Sequence, residues 1–401
     1  MLINFDEMEE GSEIQADVAV IGSGAAGITL AIELDGSGHD VVLLAGGAAL
    51  HEADCQDLYR SQVVGLKHEG IYTGRARVHG GTTTLWAGQA LPFEPIDFEA
   101  RDWVAHSGWP FGIQTLEPYY RRAEGVMKIG SMTYDERSWP GNLPSLPEVD
   151  PNRFVWRVSQ FTNQINFATS YRKELVSSQN VRVLLNAHAV DLVPEPLGSR
   201  LERVEVKSLQ GRSARLRARY VVVCCGAIES ARLLLASNSV VPQGVGNSHD
   251  LVGRYFQEHI QGRTARIHTD EPRKLRAMFD VITYQGTRYG PRLCTAEALQ
   301  REKRMLNVCG GVSYEIPEDS ALAAAKLLIR STTRKDLRAG IPRAIWNVAK
   351  RPHDIAVAVA SYALYRTPLV DRRGPLYLGV MSEQAPNPQS RVMLGEERDA
   401  L

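Results

Sequence analysis

The sequence has no excess of charge of either sign: 46 Lys and Arg residues balance 46 Asp and Glu residues in a chain of 401. Balanced charge gives no electrostatic reason to expect a nucleic-acid partner. No stretch supplies the roughly 18 consecutive apolar residues of a membrane-spanning helix. The N-terminus is acidic where a secretory signal is basic, so we expect a cytoplasmic protein.

Cysteine is also scarce. The five cysteines are odd in number and lack Cys-x-x-Cys spacing, so we predict no disulfide framework and no metal site. Cys224 and Cys225 follow an apolar run, and we interpret them as small buried residues of a strand. The remaining composition, 44% apolar with 34 glycines, indicates a globular chain of about two or three domains.

The clearest positive signal lies at residues 17–34, where an apolar run, a glycine-rich turn and a helical pattern follow one another. In such a turn Gly22 permits the tight bend, Gly24 lets the backbone approach a pyrophosphate, and Gly27 lets the helix pack closely on the strand. The free N–H groups of the helix N-terminus would face the phosphates. The predicted pyrophosphate-contacting residues are Gly22, Ser23, Gly24, Ala26 and Gly27.

The acid that usually completes this fingerprint is missing. The apolar run Val41–Leu44 predicts the second parallel strand, and an Asp or Glu at its end would accept hydrogen bonds from the adenosine ribose. This chain has Ala45 there. Either another group holds the ribose, or binding loses one or two charge-assisted hydrogen bonds of roughly 1.5–3 kcal/mol each. In the second case Ala45→Glu should tighten binding.

A second glycine-rich segment spans residues 77–88 and combines paired glycines with three threonines and a tryptophan. A purely structural loop could have this composition, but glycine for close approach, hydroxyls for hydrogen bonds and an indole for apolar cover suit a large flat polar ring. His79 could touch the same ring or be an exposed loop histidine. The predicted ring-contacting residues are Gly80, Gly81, Thr82, Thr83 and Trp86.

Residues 180–226 predict three successive strands, the last buried on both faces, with a helix from Ala227. This second strand–glycine–helix junction, far from the first, indicates a nucleotide-binding domain assembled from discontinuous pieces. Residues 244–259 predict a turn and a short amphipathic helix.

Together these segments resemble the glucose–methanol–choline (GMC) oxidoreductases, a family of FAD-dependent alcohol and sugar oxidases and dehydrogenases. The resemblance rests on four blocks, and residues 383–394 also resemble the family's strand that returns from the substrate domain. The Thr-Thr-Thr-Leu-Trp sequence is more similar to the pyranose oxidase and fructose dehydrogenase branch than to the glucose oxidase branch. The four blocks are Gly22 to Gly27, Gly80 to Gly88, Gly226 to Leu235 and Asn247 to His259.

The resemblance implies an FAD cofactor and a small-molecule alcohol or sugar substrate, whose C–OH group is oxidised to a carbonyl. Hydride would pass to flavin N5 while a histidine base takes the hydroxyl proton. It further implies that backbone at Val190 lies near adenine and that Cys225 and Gly226 line the adenosine side. Leu85 stands where covalently flavinylated relatives carry histidine, so the FAD is expected to be noncovalent. The electron acceptor and the oligomeric state stay open.

One part of the family pattern is absent. The catalytic histidine and the final flavin-binding segment of the family lie downstream of the strand that here ends near Leu394, and no histidine follows His353. The family histidine is therefore expected beyond Leu401, and we expect the 401-residue chain alone to be inactive. A truncated product, a fragment or a split protein would each explain this. His259 is interpreted as satisfying buried backbone rather than as the base.

The predicted fold is α/β. Residues 1–124 and 180–260 form a discontinuous Rossmann-like FAD-binding domain, and residues 125–179 and 261–401 form an α+β substrate domain with a mixed sheet, incomplete at its end. Two other functions stay open: another flavin or NAD oxidoreductase on the same nucleotide fold, and a noncatalytic nucleotide-binding or subunit protein. The basic stretch 326–373 predicts a solvated helical face, with a surface for a membrane quinone or electron acceptor as the alternative.

Overall fold

The computed structural model describes residues 1–68, 70–141, 145–196, 200–333, 340–365 and 374–401. The chain forms two compact units, and each unit is built from separate stretches of sequence. The first unit comprises Met1–Trp86, Gln164–Phe256 and Asn387–Leu401, and the second comprises Ala87–Asn163 and Gln257–Pro386.

The strands of the described residues are β1 (Leu2–Asn4), β2 (Ser12–Ile21), β3 (Val41–Ala45), β4 (Gln89–Ala90), β5 (Phe154–Phe161), β6 (Val181–Leu185), β7 (His188–Pro194), β8 (Leu201–Lys207), β9 (Ser213–Val223), β10 (Ile260–Ile267), β11 (Ile282–Tyr284), β12 (Thr287–Thr295), β13 (Val308–Tyr314) and β14 (Leu376–Ser382). The α-helices are α1 (Ala25–Glu33), α2 (Ala53–Asp57), α3 (Gly70–Thr73), α4 (Glu117–Met127), α5 (Phe167–Ser170), α6 (Arg172–Ser177), α7 (Gly226–Ala236), α8 (Pro272–Phe279), α9 (Glu297–Lys303), α10 (Ala321–Thr333), α11 (Ile341–Lys350) and α12 (Pro352–Tyr365).

The first unit contains a seven-stranded sheet in the order β1-β6-β3-β2-β9-β8-β7. The first five strands of this order run parallel, and β8 and β7 continue the sheet antiparallel. Every residue of β3 is buried, as expected for a central parallel strand that is covered on both faces. The glycine turn after β2 leads into α1, and α7 begins just after β9. The predicted α/β class with a discontinuous nucleotide-binding fold is therefore confirmed.

The strand prediction for residues 180–226 is wrong in two details. The first predicted strand is divided into β6 and β7, because Asn186 between them adopts a left-handed backbone with φ of +60°. The last strand, β9, is not buried on both faces: its arginines alternate with apolar residues, and Tyr220 is 56% exposed. β9 pairs with antiparallel β8 on one side, where one sheet face can meet solvent.

The second unit contains an antiparallel sheet in the order β10-β14-β13-β12-β5-β4, with β11 paired to β12. Its limits differ from the predicted domain boundaries. Residues 87–124 belong to this unit, since β4 pairs with β5. Residues 164–179 belong to the first unit, where the apolar side chains of Phe167 and Leu175 are buried.

Residues 247–259 form turns, so the short amphipathic helix predicted there is wrong. Gly253 has φ of +85°, and a Cβ on it would lie 2.3 Å from the carbonyl oxygen of Val392, so the chain bends here at a close backbone contact. Residues 383–394, expected as a returning strand, form only an isolated bridge between Arg391 and Arg254. This bridge returns the chain to the first unit.

The basic stretch 326–373 is helical where it is described, in α10, α11 and α12; residues 334–339 and 366–373 lie outside the described ranges. None of the helices in the described part of the chain combines the length and the apolar character that a bilayer crossing requires.

Candidate functional site

A cavity of about 340 Å³ lies within the first unit, at the carboxyl ends of β2, β3 and β9. In an open parallel sheet this edge is the usual place for a ligand, because loops replace the strands there and helices begin. The lining comes from the turn after β2, from Gly46 after β3, from residues 76–86, and from segments around His188 and Cys225.

The turn between β2 and α1 has the shape of a phosphate cradle. Gly22 has φ of +106°, and a Cβ on Gly27 would lie 1.8 Å from the carbonyl oxygen of Gly22. Gly24 is the N-cap of α1, and a Cβ there would meet no described atom within 4 Å. The described residues provide no side-chain cap for α1, and its first turn carries no acid. Its unpaired N–H groups can therefore bind an anion.

The loop at residues 79–86 packs directly against this cradle. The backbone N–H of Gly80 donates to the Ser23 carbonyl at 2.9 Å. A Cβ on Gly81 would lie 2.9 Å from the Cα of Gly24. Glycine is therefore needed where the two loops approach each other most closely.

Two predicted ring-contacting residues hold this loop in place. The buried Thr83 hydroxyl donates to the Gly80 carbonyl at 2.6 Å and accepts from the backbone N–H of Phe167 at 3.1 Å. The indole N–H of Trp86 donates to the Ile165 carbonyl at 2.6 Å. These polar groups fix the loop and leave the apolar surface of Trp86 at the cavity.

A buried charge cluster lies at the same cavity. Glu229, in the first turn of α7, accepts hydrogen bonds from Arg75 at 2.8 Å, from Arg77 at 3.2 Å and from Arg232 at 2.9 Å. Its side chain is 7% exposed. Burial raises the pKa of Glu229, but Arg232 and Arg77 outweigh burial and hold the pKa below its usual value. The carboxylate is therefore ionised at neutral pH.

His188 extends this cluster toward the end of β3. Its Nδ1 lies 3.1 Å from Nη2 of Arg77, and a Cβ on Gly46 would lie 3.3 Å from the same nitrogen. Burial lowers the pKa of His188 to about 3, and Arg77 and Arg232 act in the same direction. A guanidinium can only donate, so Nδ1 accepts and the neutral ring carries its proton on Nε2.

The structure brings most of the predicted cofactor-contacting residues together. Gly27 and Gly80 lie behind the lining, where they allow the close contacts described above. Val190 does not line the cavity, whereas Ala187 and His188 do. The predicted residues that line it are Gly22, Ser23, Gly24, Ala26, Gly81, Thr82, Thr83, Trp86, Cys225 and Gly226.

Three expectations from the sequence need correction. Ala45 is fully buried and does not line the cavity, so Ala45→Glu would place a carboxylate in the core instead of beside a ribose. Cys224 and Cys225 follow the end of β9 and line the cavity, so they are not strand residues; burial raises the pKa of Cys225 to about 11. His259 is 68% exposed and therefore does not satisfy buried backbone.

Sequence reasoning missed the cluster of Glu229, its arginines and His188. These residues are far apart in the chain and meet only when β9, α7 and the loop before Gly80 have folded together. One signal was present: Glu229 is an acid in the first turn of a helix that begins at a strand end, where the helix dipole favours a carboxylate. The sequence could not show which side chains pair with Glu229, because Arg75 and Arg77 lie far from it in the chain.

His79 is a buried histidine whose pKa is lowered by its surroundings. It is 4% exposed, and neither ring nitrogen has a hydrogen-bond partner among the described residues. Burial lowers the pKa of His79 from 6.5 to about 4, and Arg172 acts in the same direction. The unfolded chain therefore binds more protons than the folded chain between these two pKa values.

We expect this histidine to make the protein less stable in acid. Its share of the free energy of unfolding is intact above pH 6.5 and is lost as the pH falls toward 4, by on the order of 3 kcal/mol. Urea unfolding of His79→Gln at pH 7.5 and at pH 4.5 should show a smaller difference than in the wild type. His259→Gln, at an exposed histidine, is the control and should leave the difference unchanged. If the free energy of unfolding falls by the same amount between pH 7.5 and pH 4.5 in His79→Gln and in the wild type, His79 is not the cause of the acid sensitivity.

A glycine cradle at the carboxyl edge of a parallel sheet, joined to an uncapped helix N-terminus, defines a dinucleotide-binding α/β protein. Residues 154–261 match the family model of the GMC oxidoreductases. This match and the relatives below show that the chain is similar to the GMC oxidoreductases. Members of this family are flavoproteins that generally bind FAD.

The chain is similar to several named enzymes. It is 28% identical over 300 residues to paromamine 6'-oxidase of Streptomyces fradiae, covering 61% of this chain and 55% of that protein. It is 25% identical over 321 residues to the fructose dehydrogenase large subunit of Gluconobacter japonicus, covering 61% and 59%. The crystal structure of pyridoxine 4-oxidase from Mesorbium loti aligns at 18% identity with a TM-score of 0.45, covering 75% and 68%. The chain spans about half the length of the curated relatives it matches.

Proposed function

We propose that this chain is the FAD-binding part of an oxidoreductase that oxidises the CH–OH group of a small-molecule alcohol or sugar to a carbonyl. The observation that carries the proposal is the cradle at Gly22–Gly27, whose open side at Gly24 faces a cavity at the carboxyl edge of the sheet. The relatives are named as oxidases and dehydrogenases, which favours this function over a noncatalytic nucleotide-binding protein.

The residues present fit an adenine dinucleotide. A Cβ on Gly24 would occupy open space beside the N–H groups of α1, where a pyrophosphate can approach the backbone. Nε of Arg77 is buried, and the described residues give it no hydrogen-bond partner. Such an atom is costly to leave unpaired unless a ligand or water accepts from it.

Each part of the cavity then has a separate task. The loop at Gly22–Gly27 would hold the pyrophosphate through backbone N–H groups, and the segment from Gly81 to Trp86 would cover the isoalloxazine. Thr83 and Trp86 keep that cover rigid through the hydrogen bonds to Gly80 and Ile165. When bound, FAD supplies the hydride acceptor for oxidation of the alcohol carbon.

The second unit would contain the substrate-binding part, and the substrate would be a small molecule with an oxidisable hydroxyl. The two enzymes compared above are named for different compounds, paromamine and fructose. The cytoplasmic location stays a prediction from the sequence.

Cofactor choice and reduction together test this function. Purified protein is titrated separately with FAD, FMN and NAD⁺, followed by flavin fluorescence quenching or by calorimetry. FAD should bind most tightly, because FMN lacks the pyrophosphate and the adenosine, and NAD⁺ lacks the isoalloxazine that the segment from Gly81 to Trp86 would cover. Anaerobic addition of sugars, polyols and primary alcohols to the FAD-loaded protein should bleach the oxidised-flavin absorbance with at least one of them in a slow single turnover, because a missing histidine base would lower the rate by a factor of about 10²–10⁴ without removing the hydride acceptor. Preferential NAD⁺ binding, or FAD that no alcohol reduces, would contradict the proposal.

We predict that FAD is held noncovalently. Leu85, at 49% exposure on the loop that follows Gly81, provides no imidazole for a bond to the flavin. Acid or heat should therefore release all the flavin into the supernatant after the protein is precipitated. Flavin fluorescence that migrates with the polypeptide on a denaturing gel would show a covalent link.

A further inference from the structure

Two cysteines of the second unit lie directly opposite each other on neighbouring strands. Cys294 of β12 pairs in register with Cys309 of β13 in an antiparallel ladder. Residues opposed in this way have Cα atoms about 4.5 or 5.5 Å apart, and both separations fall within the range of about 4.4–6.8 Å that a disulfide bond spans. Both cysteines are free thiols in the structure, and Cys294 donates a hydrogen bond to the sulfur of Cys309. The two sulfurs therefore already face each other.

These cysteines lie at a narrow joint of the sheet in the second unit. Among the described residues, β12 and β13 pair at only two positions, Leu293 with Gly310 and Cys294 with Cys309. By contrast, β13 pairs with β14 along its whole length, from Val308 to Tyr314. A covalent bond between the cysteines would therefore fasten the joint at which β10, β14 and β13 meet β12, β5 and β4.

The two thiols have different environments. Cys294 is buried, whereas Cys309 is half-buried. The hydrogen bond from Cys294 lowers the pKa of Cys309 below its ordinary value against the effect of burial, and Arg292 also lowers it. Arg292 shares a sheet face with Cys294, and a Cβ on Gly311 of β13 would lie 3.3 Å from its Cδ. The hydrogen bond to Cys309 and burial raise the pKa of Cys294. Cys309 is therefore the better nucleophile, and Cys294 is the thiol that stays protonated.

We propose that Cys294 and Cys309 form a reversible disulfide bond that fastens β12 to β13 when the protein meets a low-molecular-weight disulfide, such as oxidised glutathione. The Cys309 thiolate attacks one sulfur of the small disulfide, whose other sulfur leaves as a thiolate and takes up a proton. Cys294 then gives its proton to solvent and attacks the Cys309 sulfur of the mixed disulfide, and the second small thiolate leaves. Together the two cysteines lose two electrons and two protons, which convert the small disulfide into two thiols. The proposal does not depend on the nucleotide site.

Mass spectrometry of the wild-type protein tests this directly. Incubation with oxidised glutathione should lower the mass of the intact chain by two hydrogen atoms, and a peptide map should assign the cross-link to Cys294 and Cys309. The bond closes a loop of about 15 residues, so the oxidised protein should unfold at a higher urea concentration, and dithiothreitol should reverse the shift. Three results would each overturn the proposal: no cross-link, a cross-link between another pair of the five cysteines, or an oxidised protein whose urea midpoint is unchanged.

Two variants separate the roles of the thiols. Cys294→Ser keeps a hydroxyl donor beside Cys309 but has no resolving thiol, so it should retain one glutathione on Cys309. Cys309→Ser should take up no glutathione at the buried Cys294 and should show no shift of the urea midpoint. Cys55→Ala, at a buried cysteine of the first unit, is the control and should form the cross-link as the wild type does. Glutathione on Cys294 in Cys309→Ser, with none on Cys309 in Cys294→Ser, would contradict the assigned roles.

Discussion

Gly27→Ala should destabilise the first unit by about 3 kcal/mol or more, the range of severe overpacking in a core. The added Cβ would lie 1.8 Å from the carbonyl oxygen of Gly22 and 3.3 Å from Cδ1 of Leu43. The oxygen belongs to backbone in a tight turn, so it cannot move away as a side chain can. We expect a lower urea midpoint with little change in the denaturant dependence, together with loss of FAD binding.

Gly24→Ala is the matched control three residues earlier in the same turn. Its φ of −83° suits alanine, and its Cβ would meet no described atom within 4 Å. The free energy of unfolding should therefore change by no more than about 0.5 kcal/mol. FAD affinity should still fall, because the methyl group would enter the space through which a pyrophosphate reaches the α1 N–H groups. If Gly27→Ala unfolds at the wild-type urea concentration, the close contact between α1 and the turn is not as described.

Glu229→Gln should cost about 3–5 kcal/mol of unfolding free energy, the loss measured when one partner of a buried ion pair is removed. The carboxylate is 7% exposed and accepts from Arg75, Arg77 and Arg232, whose charges would be left buried without compensation. The amide has nearly the same shape but carries no charge and brings two donors into a group of donors. Thermal or urea unfolding at neutral pH measures the loss.

Glu13→Gln provides the comparison for an exposed cluster. Glu13 lies 3.6 Å from both Arg215 and Arg217, with its side chain 48% exposed. Solvent screens these pairs, so the loss should stay below about 1 kcal/mol. Similar losses in Glu13→Gln and Glu229→Gln would mean that the Glu229 cluster is solvated and not buried.

The parts of the fold that follow from local sequence were predictable. The apolar runs predicted as strands form β2 and β3, and the turn after β2 needs glycine because a side chain there would clash with backbone. The strand–glycine–helix pattern near residue 226 correctly predicted that α7 starts directly after β9. In each case a few neighbouring residues carry the physical cause.

The predictions that were wrong concern segments whose structure depends on contacts between residues far apart in the sequence. Residues 247–259 became turns because Gly253 meets the backbone of Val392, a residue far along the chain. The site could be predicted as far as its backbone cradle, but not its charges: Arg77, His188 and Glu229 meet only through tertiary folding. For the same reason the sequence showed that the acid at Ala45 was missing but could not show which side chains lie beside Gly46.

The alternation of the chain between two units has a consequence for its synthesis. β2 pairs with β9, from Ser12 with Ala214 onward, and β10 pairs with β14, where Ile260 meets Ser382. At roughly 5–20 residues per second, a ribosome needs on the order of ten seconds or more to supply the partner of β2. During that time the apolar strands β2 and β3 emerge without their neighbours β9 and β6. The nascent chain should therefore depend strongly on chaperones, and neither unit can finish folding before most of the chain has left the ribosome.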